Sequence, residues 1–339
     1  MIAKRVVVIG ASAGGIDALR VLVSGIPETL PAAICIVIHT APESPGVLAE
    51  ILNRLTALPV SQACDGQRLE AGHIYVAPPD RHLVIEPGRL RVTKGPREHR
   101  FRPAIDPMFR SAAQVFGPNA IGIVLTGNLD DGVAGLGTIK KLGGKAIVQD
   151  PSEALFSSMP LQALTHVNVD HVVPLAHMPR LLVELTSNVP GEAELPPVPR
   201  HIEVEVNIAK EHNPRAAGLE EVGTPSLYAC PECHGVLLEI DDDGRIRFRC
   251  HTGHAYSLES LLAAINEGIE KVMSAAMRSI EEGSLLMKDI GTQLKRRNRR
   301  DESARMMEAS DRAKQQAEAI RQLILERDVV PMASDEPVV

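Results

Sequence analysis

One feature limits the fold of this chain more than any other: an apolar, β-branched run that ends in glycine and opens onto a helical pattern. Arg5–Ile9 (RVVVI) leads into Gly10-Ala11-Ser12-Ala13-Gly14-Gly15, and Ile16 to Leu22 then carries apolar residues at helical spacing. The same unit recurs. Ile34–Ile38 (ICIVI) reads as a second buried strand and Val47–Leu55 as a helix. Ala120–Leu125 and Lys145–Val148 read as further strands, with a helical pattern from Val133 to Leu142 between them. Strands that are apolar on both faces and alternate with helices pair in parallel, with helices covering both sides. The expected fold class is therefore α/β, a doubly wound, mainly parallel sheet. His73–Ala77, His82–Glu86 and Arg89–Thr93, set around Pro78-Pro79 and Pro87-Gly88, read as an inserted β-hairpin.

The 339 residues would hold about two domains at ~150 residues each. The α/β pattern occupies residues 1–187. Residues 188–226 are rich in Pro and Glu and are expected to form a flexible linker. A zinc-ribbon-like Cys/His module is expected over 227–256, a helical hairpin tail over 257–328, and a disordered C-terminus over 329–339. The break near Asn298-Arg299-Arg300-Asp301 divides the tail into two helices. Its Leu, Ile, Met and Ala stripe reads as packing. The basic run Lys295–Arg300 reads as a solvated turn.

The Gly-rich turn admits two chemistries. A dinucleotide site needs G-x-G-x-x-G and an acidic residue at the end of the second strand. Here the central position is Ser12 and the second strand ends at Ile38-His39. Both count against a nucleotide. The turn instead fits G-x-S-x-G, which places a serine on a sharp strand-to-helix turn beside the positive end of a helix. In a doubly wound sheet, Ser12 and His39 would share one carboxyl edge. A third strand, ending at Leu125, leads to Leu129-Asp130-Asp131-Gly132 at that edge. Either carboxylate could orient the imidazole. The order Ser, His, Asp differs from the Ser, Asp, His of α/β-hydrolases.

Composition narrows the alternatives. Net charge is −7 and aromatics are 2% with no Trp, which argues against nucleic acid as a partner. No apolar run reaches the ~20 residues a membrane span needs, so membrane insertion is not expected. The N-terminus has no signal-peptide pattern, and five cysteines, three of them clustered, suit a reducing cytoplasmic location with a metal site.

The residues quoted above, with Asp65-Gly66, Tyr75-Val76-Ala77-Pro78, Arg102-Pro103-Ala104-Ile105-Asp106, Leu125-Thr126-Gly127 and Ser158-Met159-Pro160, resemble the catalytic domain of the chemotaxis protein-glutamate methylesterases, the CheB family. The resemblance runs from residue 5 to about 185, in the family's order. It implies hydrolysis of glutamyl methyl esters, and deamidation of glutamines, on the signalling helices of methyl-accepting chemoreceptors or similar proteins. A cognate methyltransferase is an implied further partner. It implies Ser12 as nucleophile, His39 as general base and then acid, and Asp131 rather than Asp130 as the residue orienting His39. No cofactor is implied for catalysis. Three departures stand out. The first strand starts at residue 5 with no receiver domain ahead of it, so no control by phosphorylation in cis is expected. Ala13 follows the serine where Ser or Thr is common, and Thr40 follows His39 where Met is frequent. The main alternative is a non-catalytic signalling scaffold of the same fold that binds a receptor or methyltransferase.

Cys230-Pro231-Glu232-Cys233 and Cys250-His251-Thr252-Gly253-His254 form a separate signal, C-x2-C followed by C-x3-H. Two thiolates from one knuckle and two ligands from a second turn can make a tetrahedral, closed, structural zinc site. His254 is the expected fourth ligand because its spacing lets the loop close; His251 is the alternative. Val236–Ile240 and Arg245–Phe248 flank Asp241-Asp242-Asp243-Gly244 as a hairpin. Asp106-Pro107 reads as a helix N-cap, and His73, His82 and His99 as ordinary strand or loop residues.

Overall fold

The computed structural model describes residues 2–187, 195–210, 213–242 and 244–326. The expected disordered C-terminus, Asp243 of the hairpin turn and parts of the expected linker lie outside them. The chain divides into two compact units, one ending at Leu261 and the other beginning at Leu262.

The first unit opens with β1 (Val6–Ala11), α1 (Gly15–Ser24), β2 (Ala33–Ile38), α2 (Leu48–Asn53), β3 (Val60–Gln62) and β4 (His73–Val76). A two-stranded antiparallel hairpin, β5 (His82–Glu86) and β6 (Arg89–Thr93), follows. The α/β pattern then resumes with α3 (Ile105–Phe116), β7 (Ala120–Val124), α4 (Val133–Lys141), β8 (Lys145–Gln149), α5 (Ser158–His166), β9 (His171–Val173) and α6 (Met178–Ser187). Seven strands form one sheet in the order β3-β4-β2-β1-β7-β8-β9, and every neighbouring pair is parallel. β1 and β2 are buried throughout, as their unbroken apolar runs require. One face of the sheet packs on α1, α2 and α6 through Leu19, Leu52 and Leu182; the other packs on α3 and α4 through Phe109 and Leu136. The strand order reverses direction at β1, which lies between β2 and β7. In open α/β sheets such a reversal is where ligand sites fall, at the carboxyl ends of the strands.

Two expectations need correction. His73–Val76 does not belong to the inserted hairpin. It is β4 of the main sheet, paired with β2 and β3, because Ile74, Tyr75 and Val76 are apolar on both faces. Nor is the described part of 188–226 simply a linker. It carries α7 (Arg200–Ala209) and the short α8 (Leu219–Val222). Pro and Glu dominate the composition there, but Ile202, Val206 and Ala209 bury against Val84 of the hairpin, and Val204 and Ile208 join a second cluster with Ile240. Thr93 Oγ1 donates to the Ala209 carbonyl at 2.6 Å and fixes the contact.

The Cys/His region is larger than a single hairpin. β10 (Thr224–Ala229), β11 (Val236–Asp242), β12 (Arg245–Cys250) and β13 (Ala255–Ser257) form a four-stranded antiparallel sheet. This sheet belongs to the same compact unit as the parallel one. The helices α9 (Leu258–Arg296) and α10 (Arg300–Leu325) follow. Within the second unit they are joined by a tight turn with Asn298 at positive φ. Small residues meet across the pair, where Ser284 Oγ donates to the Ser310 carbonyl and Ser310 Oγ to the Ser284 carbonyl, both at 2.9 Å. No helix among the described residues is long and apolar enough to cross a membrane.

Candidate active site

Ser12, His39 and Asp131 come from the ends of three adjacent strands. Ser12 follows β1, and its N–H is held by the Thr126 carbonyl at 3.0 Å, just past β7. His39 follows β2, with its N–H on the Ala11 carbonyl at 3.2 Å. Gly14, at φ +72, turns the chain from the serine into α1, a conformation that strains a residue bearing a Cβ. Gly127 passes so close behind the serine that a Cβ there would lie 2.7 Å from Ser12 Cβ.

The three side chains form one hydrogen-bonded line. His39 Nδ1 lies 3.0 Å from Ser12 Oγ and His39 Nε2 lies 2.7 Å from Asp131 Oδ2. An ionised carboxylate can only accept, so Nε2 carries the proton and Nδ1 is free to accept from the serine hydroxyl. The imidazole and the carboxylate are buried, at 4% and 1% exposure, so water does not compete for their bond. Asp131 also takes the Ile105 N–H on Oδ2 at 2.7 Å and the Asp106 N–H on Oδ1 at 3.1 Å. It thus occupies the N-terminus of α3, where unpaired N–H groups and the helix dipole favour negative charge. Of the two aspartates, Asp131 is the one hydrogen-bonded to His39. Asp130 points elsewhere, to Arg245 and to Ser257 Oγ at 2.8 Å.

Two residues bear on this line without any spacing that announces them. Phe101 stacks on the imidazole of His39, centroids 3.7 Å apart and rings inclined by 5°. His99, expected to be unremarkable, is buried with Nε2 3.0 Å from Asp106 Oδ2 and Nδ1 3.1 Å from Ser260 Oγ. Asp131 and Asp130 each come within 3.9 Å of its ring. Burial disfavours charge on His99, but the bond to Asp106 and the carboxylates of Asp131 and Asp130 outweigh it and push its pKa up to about 9. Burial likewise raises the Asp130 carboxyl above the ordinary range despite His99 and Arg245. Asp106 is not the N-cap of α3 expected from Asp106-Pro107. Ala104 holds that position, and Asp106 sits inside the first turn, accepting the Gly135 N–H at 2.7 Å. His73 and His82 are local, bonded to Ser61 Oγ and to the Pro96 carbonyl.

The second group of candidate ligands also converges. Ligand atoms of Cys230, Cys233, Cys250 and His254 all lie within 4.8 Å of one another. His251 is not among them; its ring instead lies against Gly235.

The sheet and the site together define a class, doubly wound α/β proteins with a Ser–His–Asp line at the switch point. Residues 7–182 match the CheB methylesterase family, and the chain belongs to it. A protein-glutamate methylesterase/protein-glutamine glutaminase of Yersinia pestis is 37% identical over 189 residues, 54% of each chain. The chain therefore spans about half the length of that relative. A putative protein of the same name from Leptospira interrogans is 37% identical over 183 residues, 54% of this chain and 95% of the relative. The crystal structure of the Thermotoga maritima CheB methylesterase catalytic domain superposes with a TM-score of 0.52 at 32% identity, covering 53% of this chain and 98% of that one.

Proposed function

We propose that this chain is a protein-glutamate methylesterase that also deamidates glutamine, with Ser12 as nucleophile, His39 as general base and acid, and Asp131 as the orienting carboxylate. The observation that carries the reading is the Ser12–His39–Asp131 line at 3.0 and 2.7 Å, inside a domain similar to enzymes of that name. Ser12 Oγ attacks the ester carbonyl while its proton passes to His39 Nδ1. Asp131 stabilises the resulting imidazolium. The tetrahedral adduct collapses, and methanol leaves with the proton from His39. Water then attacks the acyl-serine, gives its proton to the same nitrogen, and glutamate and free Ser12 are restored. With a glutamine substrate the leaving group is ammonia.

Backbone N–H groups of the turns on either side of Ser12 are the candidate oxyanion donors. The Ser12 N–H is spent on Thr126 and the Gly127 N–H on Phe156, whereas the Ala13 and Asn128 N–H groups have no partner among the described residues. These two are the proposed donors. Leu155 and Phe156 lie exposed, with Leu155 beside Gly14, and offer an apolar platform for one face of a substrate helix. The proposed substrate is a methylated signalling helix of the chemoreceptor type, the proposed further partner is a methyltransferase, and the proposed site of action is the cytoplasm. The test is methanol release from a methylated receptor cytoplasmic fragment. Wild type should release it and Ser12→Ala should not; equal release by both would overturn the assignment.

A further inference from the structure

The Cys/His module is built into the esterase site rather than attached beside it. Its donor set is suited to one zinc ion. Cys233 Sγ and Cys250 Sγ are 3.6 Å apart, and His254 Nδ1 lies 3.6 Å from both Cys230 Sγ and Cys250 Sγ. Tetrahedral zinc with Zn–S of about 2.3 Å sets neighbouring ligand atoms about 3.5–3.8 Å apart. The far nitrogen of His254 faces Glu232 Oε2 at 3.4 Å, the outer carboxylate that commonly orients a metal-bound imidazole. Thr252 Oγ1 lies 3.0 and 3.3 Å from the Cys250 and Cys233 sulfurs, placed to donate to a thiolate.

From this knuckle a short path leads to the catalytic imidazole. Cys250 N–H bonds the His254 carbonyl at 3.0 Å and closes the turn that carries the ligand. The next residue, Ala255, takes the His99 N–H on its carbonyl at 2.8 Å and gives its own N–H to the Arg97 carbonyl at 3.2 Å. Glu98 and Phe101 then exchange both backbone bonds, at 3.2 and 2.8 Å, around His99 and Arg100, both at positive φ. Such a turn is costly for non-glycine residues and persists only when its surroundings hold it. Phe101, at its end, lies flat on His39, and His99, at its tip, stands behind Asp131.

We propose that Cys230, Cys233, Cys250 and His254 bind one zinc ion, and that this knuckle is a positioning element of the esterase site: through Ala255 it holds the 97–101 turn that seats Phe101 on the His39 ring. The ring is thereby kept in the rotamer that presents Nδ1 to Ser12 and Nε2 to Asp131. The catalytic part rests on the function proposed above; the metal site and the ring contact do not.

The experiment uses the full chain and two readouts. Bound zinc is measured by elemental analysis, and tetrahedral thiolate coordination by the absorption of the cobalt(II)-substituted protein. The His39 ring resonance, assigned by its loss in His39→Gln, reports the Phe101 stack through its ring-current shift. The expected result is about one zinc per chain, lost in Cys233→Ser. Chelation should remove the ring-current shift, and zinc should restore it. Phe101→Leu should keep the zinc and lose the shift, and Phe101→Tyr should keep both. The rate at which an active-serine probe labels Ser12 should fall on the order of 10- to 100-fold on chelation and in Phe101→Leu, and recover in Phe101→Tyr. A chain that binds no zinc overturns the site. A His39 resonance indifferent to zinc removal overturns the positioning role. Absence of Ser12 labelling in every form, with the ring shift still zinc-dependent, would count against the esterase reading alone.

Discussion

Asp131 serves two structures with one carboxylate, and the two can be separated by substitution. It accepts from His39 Nε2 and it caps α3 through the Ile105 and Asp106 N–H groups. Asn at this position keeps an oxygen for the helix but can offer an N–H to His39 Nε2, which favours the wrong tautomer. Asp131→Asn should lower kcat by roughly 10⁴-fold with a small change in stability. Asp131→Ala leaves two buried N–H groups unpaired and should also cost about 1–3 kcal/mol of stability. Methanol-release kinetics and urea unfolding of the two variants check both parts; equal stabilities would show that the cap contributes nothing. Gly127 offers a second test at this scale. A methyl there meets Ser12 Cβ at 2.7 Å and the sulfur of Met159. Met159 is flexible, but the serine is pinned by its Thr126 bond. Gly127→Ala should therefore displace Ser12, slowing its labelling by an active-serine probe by about 100-fold, while unfolding shifts by about 1–3 kcal/mol. Unchanged labelling would mean the turn has room that its geometry denies.

Between elements, the 97–101 turn is where titration is felt. His99 is flanked by Asp106 from α3, by Asp130 and Asp131 from the turn after β7, and by Ser260 of α9. Its folded pKa, raised from 6.5 to about 9, lies above the unfolded value. The charged form is thus favoured by folding. Its contribution is complete below about pH 6.5 and is lost as pH rises through about 9. The amount is at most about 3 kcal/mol. Denaturant unfolding should show stability falling over that window, and His99→Gln should flatten the fall; parallel curves would exclude His99 as its source. None of this could be read from spacing. A histidine in a loop has no periodicity, and its partners Asp106, Asp130 and Ser260 are brought to it only by the tertiary fold. The parallel strands were legible because burial on both faces leaves unbroken apolar runs, as in Val6–Ala11 and Ala33–Ile38. The short β4 reads as a hairpin arm because four residues between prolines and glycines carry too little pattern to separate it from a sheet strand. α7 was hidden by composition, since its two apolar faces bury against two different sheets rather than forming one stripe.

On the scale of the first unit, the sequence suggests two separable parts, an α/β domain and a Cys/His module joined by a linker, and buried charge argues against that division. Arg249 of β12 is fully buried, with Nε on Glu205 Oε1 at 2.9 Å and Nη2 on Glu98 Oε1 at 2.8 Å. Glu205 belongs to α7, and Glu98 to the turn that carries Phe101. Arg110 of α3 reaches Glu98 at 2.5 Å and Glu205 at 3.1 Å. The cationic residues of β12 thus neutralise carboxylates of α7 and of the 97–101 turn that would otherwise be stranded out of water. Residue types alone did not reveal this, because Arg and Glu in a strand and a loop read as solvated surface. The consequence is cooperative unfolding. Arg249→Met leaves Glu98 and Glu205 to Arg110 and Arg247 and strips each carboxylate of a buried charged hydrogen-bond partner, which should cost about 3–5 kcal/mol. If the two sheets fold as one unit, that loss must appear in the amides of β1 and β2 as well as in those of β11 and β12. Native-state hydrogen exchange reads it directly: the slowest amides of both sheets should lose the same protection in the variant. Loss confined to β10–β13 would mean that the Cys/His module unfolds on its own. In that case charge burial couples the two sheets too weakly to hold them together, and the positioning of His39 by the knuckle would have to survive local opening of the module.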